Sequence, residues 1–335
     1  WVDVVSALKA DPKATSELAQ SLSSWAKSSP GYFADTQKRV RDFVETGQLG
    51  IFANAYWGHP EYRLPPEANL MAVGHYLEAL SWQREVVKLH AVFGGKNPHP
   101  NFIVGGCPSP ISADPTGSTG GFDGTAINVT TLTQMRDTLA SMREFVERVY
   151  LPDTLAIAGF YKDWFGRGEG VGNFLTYGDF PLAASGDPES WLIPPTAITG
   201  RDLSSATPVD LSDPAQVTEN VARAWYDYTG DDAAGLHPWR GETALNYTGP
   251  KPPYTHLETD KAYSWLKSPR WNNNSVEVGP LARMLMLYAD TSAPAHAQAK
   301  ELVDYSLNRL DLPVDGLFST LGRTAARTLE SKIVS

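Results

Sequence analysis

Cysteine is almost absent from this sequence, which has one, Cys107, among 335 residues. A single thiol cannot form a disulfide within the chain, and it cannot build a metal site that needs several cysteines. The chain also lacks any apolar run that approaches the roughly 20 residues of a membrane-spanning helix. Its first residues lack the charged and apolar regions of a signal peptide. The sequence therefore predicts neither a membrane span nor a leader.

Positively charged residues are also scarce relative to negatively charged ones. The chain has 28 Lys and Arg against 38 Asp and Glu, a formal net charge of −10. Nucleic-acid binding depends on basic side chains that release phosphate counterions, so this balance argues against a nucleic-acid partner. Glycine (28) and proline (25) are instead plentiful, above the usual combined share of about 12%. This excess predicts long, ordered connections between helices.

Apolar residues at helical spacing predict most of the secondary structure. The longest predicted helix begins at Pro65-Pro66 and ends near Phe93, and the most regular one runs from Asn128 to Val149. A further helix from Pro152 to Trp164 would form an antiparallel pair with it through a tight connection. The remaining predicted helices are 11–28, 35–46, one that starts at Asp213-Pro214, 263–269, 275–289, 293–310 and 314–334.

Short β-leaning runs broken by Gly and Pro lie between about 166 and 253. We therefore expect a mainly α fold, with a helical bundle core, long Gly/Pro-rich loops and a small β-containing subregion at about 166–253. The whole chain, 1–335, is predicted to form a single domain.

His75 and Glu78 lie three residues apart on the longest predicted helix. This spacing suggests a metal pair, but a third ligand is not in reach. A packed imidazole with a hydrogen-bonding neighbour is the more common situation, so we predict no metal here.

The stretch from His90 to Pro110 has the most unusual composition. Gly94-Gly95 fits a left-handed helix cap, and Pro98 and Pro100 prevent helix on either side of His99. The imidazole is therefore expected on a stiff loop that places polar groups. A purely structural crossover between two helices is the alternative.

Several separated blocks resemble, in the right order, the large subunit of nickel-iron hydrogenases. They are YWGHP (56–60), LPPEANLMAV (64–73), GGKNPHPNFIVGG (94–106), VEVGPLAR (276–283) and LGRTAAR (321–327). Within that family they are most similar to the membrane-bound, respiratory, hydrogen-uptake enzymes. The resemblance covers essentially the whole chain and implies a part in oxidising H2 to protons and electrons.

The departure from the family concerns its metal ligands. The resemblance implies four cysteines in two Cys-x-x-Cys pairs, whereas this chain has no such pair and begins on Trp1. We therefore expect an internal fragment of the large subunit, with no catalytic residue and no metal ligand of its own. The nickel-iron centre would belong to the full-length protein.

The resemblance also implies which residues support that centre. Lys96, Asn97 and His99 are expected near the metal pocket and toward an iron-sulfur partner. Arg323 and Arg327 lie four residues apart on the last predicted helix, with Glu330 three residues further on. Either this face is a solvated, salt-bridged surface, or the arginine pair faces the partner subunit.

The implied partners are a hydrogenase small subunit that carries iron-sulfur clusters and, through it, a membrane cytochrome. The implied location is the periplasmic side of the cytoplasmic membrane, reached by export with the small subunit. Two alternatives remain. One is an α-helical carbohydrate-active enzyme, whose acid and base would come from Glu61, Glu67 and Asp163; the other is a non-catalytic scaffold.

Overall fold

The computed structural model describes residues 2–48, 58–99, 127–183, 190–210, 212–228, 235–240, 244–253 and 260–335. The chain divides into two compact units, Trp1–Lys162 with Ser331–Ser335 (unit 1) and Asp163–Glu330 (unit 2). About half of the chain is helical and its strands are short. The mainly α prediction is confirmed, whereas the single domain over 1–335 stays a prediction.

The regular elements of unit 1, in its described residues, are helices. Its helices are α1 (Val4–Ala7), α2 (Pro12–Leu22), α3 (Pro30–Glu45), α4 (Pro66–Gly94), α5 (Val129–Phe145), a π-helical segment (Val146–Tyr150) and α6 (Leu151–Gly159). The core forms where α1, α2 and α3 pack on the first half of α4. Its most deeply buried members include Ala7, Phe33 and Leu70.

Unit 2 combines short antiparallel strands with helices. The strands are β1 (Phe174–Thr176), β2 (Asp179–Pro181), β3 (Trp191–Ile193), β4 (Thr196–Ile198), β5 (Thr207–Pro208), β6 (Val217–Asn220), β7 (Tyr226–Asp227), β8 (Ala244–Leu245) and β9 (Ser268–Trp271). They pair as β1-β4-β5, β2-β3, β6-β9 and β7-β8. Helix α7 (Pro280–Ala289) packs on β1 and β4 and against α8 (His296–Leu310), and α9 (Thr320–Val334) follows.

Helix α4 matches its prediction closely. It begins at Pro66, where a missing N–H costs nothing in the first turn. It ends at Gly94, and Gly95 has a φ of 72°, the left-handed conformation that glycine adopts without strain. The start of α2 at Pro12, with Asp11 accepting from the Lys13 N–H, is also confirmed.

Two predictions in unit 1 are wrong. Ser29 does not end a helix but caps α3, because its Oγ accepts from the Tyr32 N–H at 3.1 Å and Pro30 fits the first helical position. There is also no tight connection before Pro152. The Leu151 N–H bonds to the Val146 carbonyl, a π-type turn that lets the helix continue through the proline.

The apolar face of α5 is only partly buried. Met135 and Phe145 are buried as expected, but Leu132 and Leu139 are 51% and 42% exposed. The predicted strand at 51–57 lies outside the described residues, as do residues 100 to 126.

Two predicted helices in unit 2 do not exist. The Asp213 carboxylate accepts from the Ala215 N–H and forms a turn that leads into β6, so no helix starts there. The segment at 263–269 is not helical because Tyr263 and Ser264 bond to the backbone of Arg223 and Trp225. These contacts lead the chain into β9.

The last helices are shorter than predicted. Helix α7 begins at Pro280, preceded by Gly279 with a φ of 113°. Val314–Leu317 forms a separate 3₁₀ turn before α9 begins. Among the described residues, no helix is both long and apolar enough to span a bilayer.

Replacing Ser29 by alanine tests the corrected start of α3. The free energy of unfolding should fall by about 1 kcal/mol, because the Tyr32 N–H loses its capping oxygen. The control is Ser21→Ala, since the exposed Ser21 hydroxyl donates to the Leu18 carbonyl and caps no helix start. Equal urea-unfolding curves for the two variants would contradict the assignment.

Candidate functional site

The loop that follows α4 contains three of the predicted site residues. Lys96, Asn97 and His99 are all exposed. Asn97 Oδ1 lies 2.8 Å from His90 Nδ1, a hydrogen bond that ties the loop back to the last turn of α4. His99 has a φ of 54°, which is unusual for a residue with a Cβ.

This geometry places Lys96, Asn97 and His99 close together in the described part of the loop after α4. The loop presents an ammonium group, an amide and an imidazole to the outside, a set that can donate hydrogen bonds to an acceptor. Cys107 and the second Gly-Gly pair lie outside the described residues.

Arg323 in unit 2 is the centre of a dense polar cluster. Its Nε and Nη2 each donate to one Glu277 oxygen at 2.6 Å, which is a bidentate ion pair. Its Nη1 donates to the Gly168 carbonyl and its Nη2 also lies 3.4 Å from the Glu169 carbonyl. The hydrogen bonds to Glu277 and the charge of that carboxylate raise the pKa of Arg323. An arginine held in this way orients its neighbours and does not transfer protons.

A glycine-rich loop wraps around this guanidinium. Gly168 and Gly170 have φ values of 79° and 69°. A Cβ on Gly170 would lie 2.5 Å from Arg323 Nη2, and one on Gly168 would lie 2.3 Å from Thr320 Oγ1. Only glycine combines this backbone with this close approach.

A second ion pair joins the same two segments of the chain, but here the arginine and the glutamate have exchanged sides. Glu277 and Arg283 belong to VEVGPLAR, whereas Arg323 belongs to LGRTAAR and Glu330 follows it on α9. Arg283 donates to both Glu330 oxygens, through Nε and, at 3.1 Å, through Nη2. The hydrogen bond to Glu330 raises the pKa of Arg283.

The two pairs are partly shielded from water. The four side chains retain 27% (Arg323), 20% (Glu277), 21% (Arg283) and 13% (Glu330) of their exposure. Asp179 lies 3.8 Å from Arg283 Nη1, and burial raises the pKa of this carboxyl.

The small residues of LGRTAAR also have a packing reason. A Cβ on Gly322 would lie 2.1 Å from the Leu317 carbonyl, so the helix can approach that carbonyl only at a glycine. Ala325 and Ala326 are buried. Arg327, in contrast, is exposed, so the two predicted arginines do not share one environment.

Sequence reasoning missed Glu277 and the glycine loop. A signal for the loop exists, because Gly166, Gly168, Gly170 and Gly172 occupy alternate positions. Nothing local links Glu277 to Arg323, which are 46 residues apart. The β-bridge of Glu277 to Phe174 and its two backbone hydrogen bonds to Asn173 and Leu175 position the carboxylate.

The described residues contain no group of three or more His, Cys, Asp or Glu side chains that could hold a metal ion. The single cysteine of the sequence adds at most one soft ligand. The residues of this chain therefore do not fit a metal centre built on several thiolates.

A family model described as nickel-dependent hydrogenase matches residues 1–335. The uptake hydrogenase large subunit of Rhizobium leguminosarum bv. viciae is 52% identical over 340 residues, 99% of this chain and 55% of that protein. The hydrogenase-1 large chain of Escherichia coli (strain K12) is 49% identical over 340 residues, with the same coverage, 99% and 55%. The chain thus spans about half the length of these relatives.

Solved structures of hydrogenases are also similar to this chain. The [NiFeSe] hydrogenase G50T variant from Desulfovibrio vulgaris Hildenborough superimposes with a TM-score of 0.60 at 28% identity, over 84% of this chain and 51% of that chain. The reduced Ni-Fe-Se hydrogenase from the same organism gives a TM-score of 0.59 at 27% identity, over 84% and 52%.

Replacing Gly170 by alanine tests the contact between the glycine loop and Arg323. The free energy of unfolding should fall by about 2–3 kcal/mol, since backbone strain adds to a collision with the guanidinium. Gly200→Ala is the matched control, because Gly200 has a φ of 62° and open space around its Cβ position. Gly166→Ala, which also has open space, should change little. Equal losses for Gly170→Ala and Gly200→Ala in urea unfolding would show that Arg323 does not require the glycine.

Proposed function

Because this chain belongs to the nickel-dependent hydrogenase family, we propose that it forms part of the catalytic large subunit of a hydrogenase that oxidises H2 to protons and electrons. The observation that carries the proposal is the match over all of residues 1–335, together with 52% identity to an uptake hydrogenase large subunit. The carbohydrate-active alternative has no comparable support.

We propose that the thiolate ligands of the nickel-iron centre come from outside residues 1–335. The support is chemical, since a site with soft ligands needs several cysteines and this chain has one. The contribution of this chain is then to orient, shield and connect that centre.

Lys96, Asn97 and His99 are the residues that we propose for the surroundings of the centre and for the electron exit toward the partner. Their exposure and their position on one loop support this role, because an exposed donor can reach a group on another polypeptide. The hydrogen bond between His90 and Asn97 restricts the loop, which favours a fixed donor over a swinging proton shuttle.

Arg323 and Arg327 are proposed to serve a partner-facing surface in different ways. Arg323 is engaged with Glu277 and with the carbonyls of 168 and 169, so its role is to fix the local backbone. Arg327 is exposed and is the arginine whose side chain is proposed to approach the partner subunit.

The proposed partner is a small subunit that carries iron-sulfur clusters and hands electrons to a membrane cytochrome. The similarity to large subunits of uptake hydrogenases supports it, since a large subunit implies a smaller one. We further propose a location on the periplasmic side of the cytoplasmic membrane. In the fold, we propose a helical bundle core with a β-containing subregion at about 166–253, supported by strands between 174 and 271.

Nickel analysis tests the proposed function and the source of the ligands together. The native gene product, purified with its small subunit, should contain nickel and oxidise H2 with a viologen dye as acceptor. Residues 1–335 expressed alone should hold no stoichiometric nickel, because one cysteine cannot complete the site.

Two results would contradict these expectations. One nickel per chain in the isolated 1–335 polypeptide would show that the ligands lie within it. A native gene product without nickel and without H2 oxidation would refute the hydrogenase assignment.

His99→Ala in the native two-subunit protein tests the electron exit. Nickel content and hydrogen/deuterium exchange at the metal site should persist, whereas H2 oxidation coupled to an external acceptor should fall. His59→Ala is the control, because His59 is an exposed turn residue of the same unit. A parallel loss of exchange and oxidation with nickel retained would place His99 on the proton path instead.

A further inference from the structure

A buried imidazole and carboxylate meet in the interior of unit 1. His75 on α4 and Asp153 on α6 are 78 residues apart in sequence, yet His75 Nδ1 lies 2.6 Å from Asp153 Oδ2. Their side chains retain only 7% and 13% of their exposure. The prediction of a packed imidazole is confirmed, with Asp153 rather than Glu78 as its hydrogen-bonding neighbour.

Titratable groups on the elements that carry the pair or pack on them already have partners. On α4, Glu78 accepts from Trp25 Nε1 at 3.1 Å and lies 2.9 Å from Lys27 Nζ. On α3, Tyr32 donates to the Gly74 carbonyl, and burial raises its pKa to about 12, so it is neutral at pH 7. On the π-helical segment, Arg148 pairs with Glu144 and donates to Ser24.

The second ring nitrogen of His75 is unsatisfied. Nε2 is buried and has no hydrogen-bond partner within the described part of the chain. A buried polar atom without a partner costs about 1–3 kcal/mol, and an ordered water molecule is a common partner for such an atom. The ring of Phe33, 6.1 Å away between centroids, covers one side of the imidazole.

The number of protons that the pair holds decides whether Nε2 is a hydrogen-bond donor or an acceptor. With two exchangeable protons the pair is neutral overall, and Nε2 carries a hydrogen whether the second proton lies on the carboxylate or on the imidazole. With one proton, Nδ1–H donates to an ionised Asp153, Nε2 is a bare acceptor, and a net negative charge is buried. Burial of a net charge costs several kcal/mol. The folded pair therefore favours its two-proton form, and Nε2 changes from donor to acceptor when one proton leaves.

We propose that the His75–Asp153 pair is an internal acid-base site of unit 1 that binds and releases one proton at His75 Nε2, in exchange with a buried water molecule. In the uptake step the Nε2 lone pair forms a bond to a proton of hydronium, and the broken O–H bond leaves its electrons on the departing water. In release the proton returns to water. No other reactant is needed, and the site operates whether or not the chain takes part in H2 oxidation.

The pH dependence of stability follows from Asp153. Burial raises the pKa of this carboxyl above its unfolded value, and the hydrogen bond with His75 opposes that shift. Its contribution to stability is therefore fully present below the unfolded pKa of about 3.9 and is lost as pH rises through the folded value. Asp153→Asn cannot titrate and lacks this dependence.

The first experiment compares thermal unfolding of the native gene product from about pH 4 to pH 8. Relative to Asp153→Asn, the wild-type midpoint should fall as pH rises. Asp42→Asn is the control, since Asp42 is an exposed carboxylate of the same unit, paired with Lys38. A constant difference between the wild type and Asp153→Asn over this range would overturn the proposal.

The second experiment follows the protonation of His75 Nε2 directly. With ¹⁵N-labelled histidine, the His75 signal, identified by its absence in His75→Gln, should show Nε2 passing from protonated to unprotonated as pH rises. In Asp153→Asn the midpoint of that change should move to lower pH, because the carboxylate that favours the protonated imidazole is gone, whereas the signals of His59 should be the same in both proteins. An Nε2 signal that is the same at every pH, or a midpoint unaffected by Asp153→Asn, would refute the acid-base site. If His75→Gln does not fold, the signal that moves in Asp153→Asn identifies His75.

Discussion

In unit 2, two arginine-glutamate ion pairs join the segment around α7 to α9. The segment supplies the glutamate of one pair and the arginine of the other. Glu277 binds Arg323, and Arg283 binds Glu330. Because each side supplies one acid and one arginine, neither side can shift without leaving unpaired charges in a partly shielded site, which lowers stability. The guanidinium plane fixes direction as well as distance. The glycine loop at 166–172 then follows the position of Arg323, because its carbonyls accept the remaining N–H groups.

The small residue Gly322, which lies next to Arg323, is needed for the same ion pairs to form. For Arg323 to reach Glu277, α9 must begin close to the preceding 3₁₀ turn, and the Leu317 carbonyl would lie 2.1 Å from any Cβ at 322. Gly322 removes that collision, and the Ser319 hydroxyl accepts from the Gly322 N–H at 2.9 Å. Sequence blocks that resemble a metalloenzyme signature are therefore explained, within this unit, by packing and charge pairing.

How much the sequence predicts depends on whether the deciding interaction is local. The limits of α4 follow from Pro66 and Gly95, which act on their own neighbours. The strand β6 that follows the turn at 213–216 exists because it pairs with β9, joining Val217 to Trp271, and no local pattern contains that partner. The same reason hides the partners of Arg323 and His75, which lie 46 and 78 residues away. Lys96, Asn97 and His99 lie close together simply because they are neighbours in sequence.

The two units use charge in different ways. The pairs of unit 2 each join a carboxylate to a guanidinium, a group that stays protonated in proteins. The His75–Asp153 pair contains a carboxyl whose pKa is raised by burial. Its helix, α4, also leads into the loop with Lys96 and His99. At 1.5 Å per residue, His75 and that loop are about 30 Å apart along α4, well beyond the roughly 10 Å range of screened charges. A proton on His75 therefore cannot act on the loop by direct electrostatics, and only a displacement of α4 itself could connect the two.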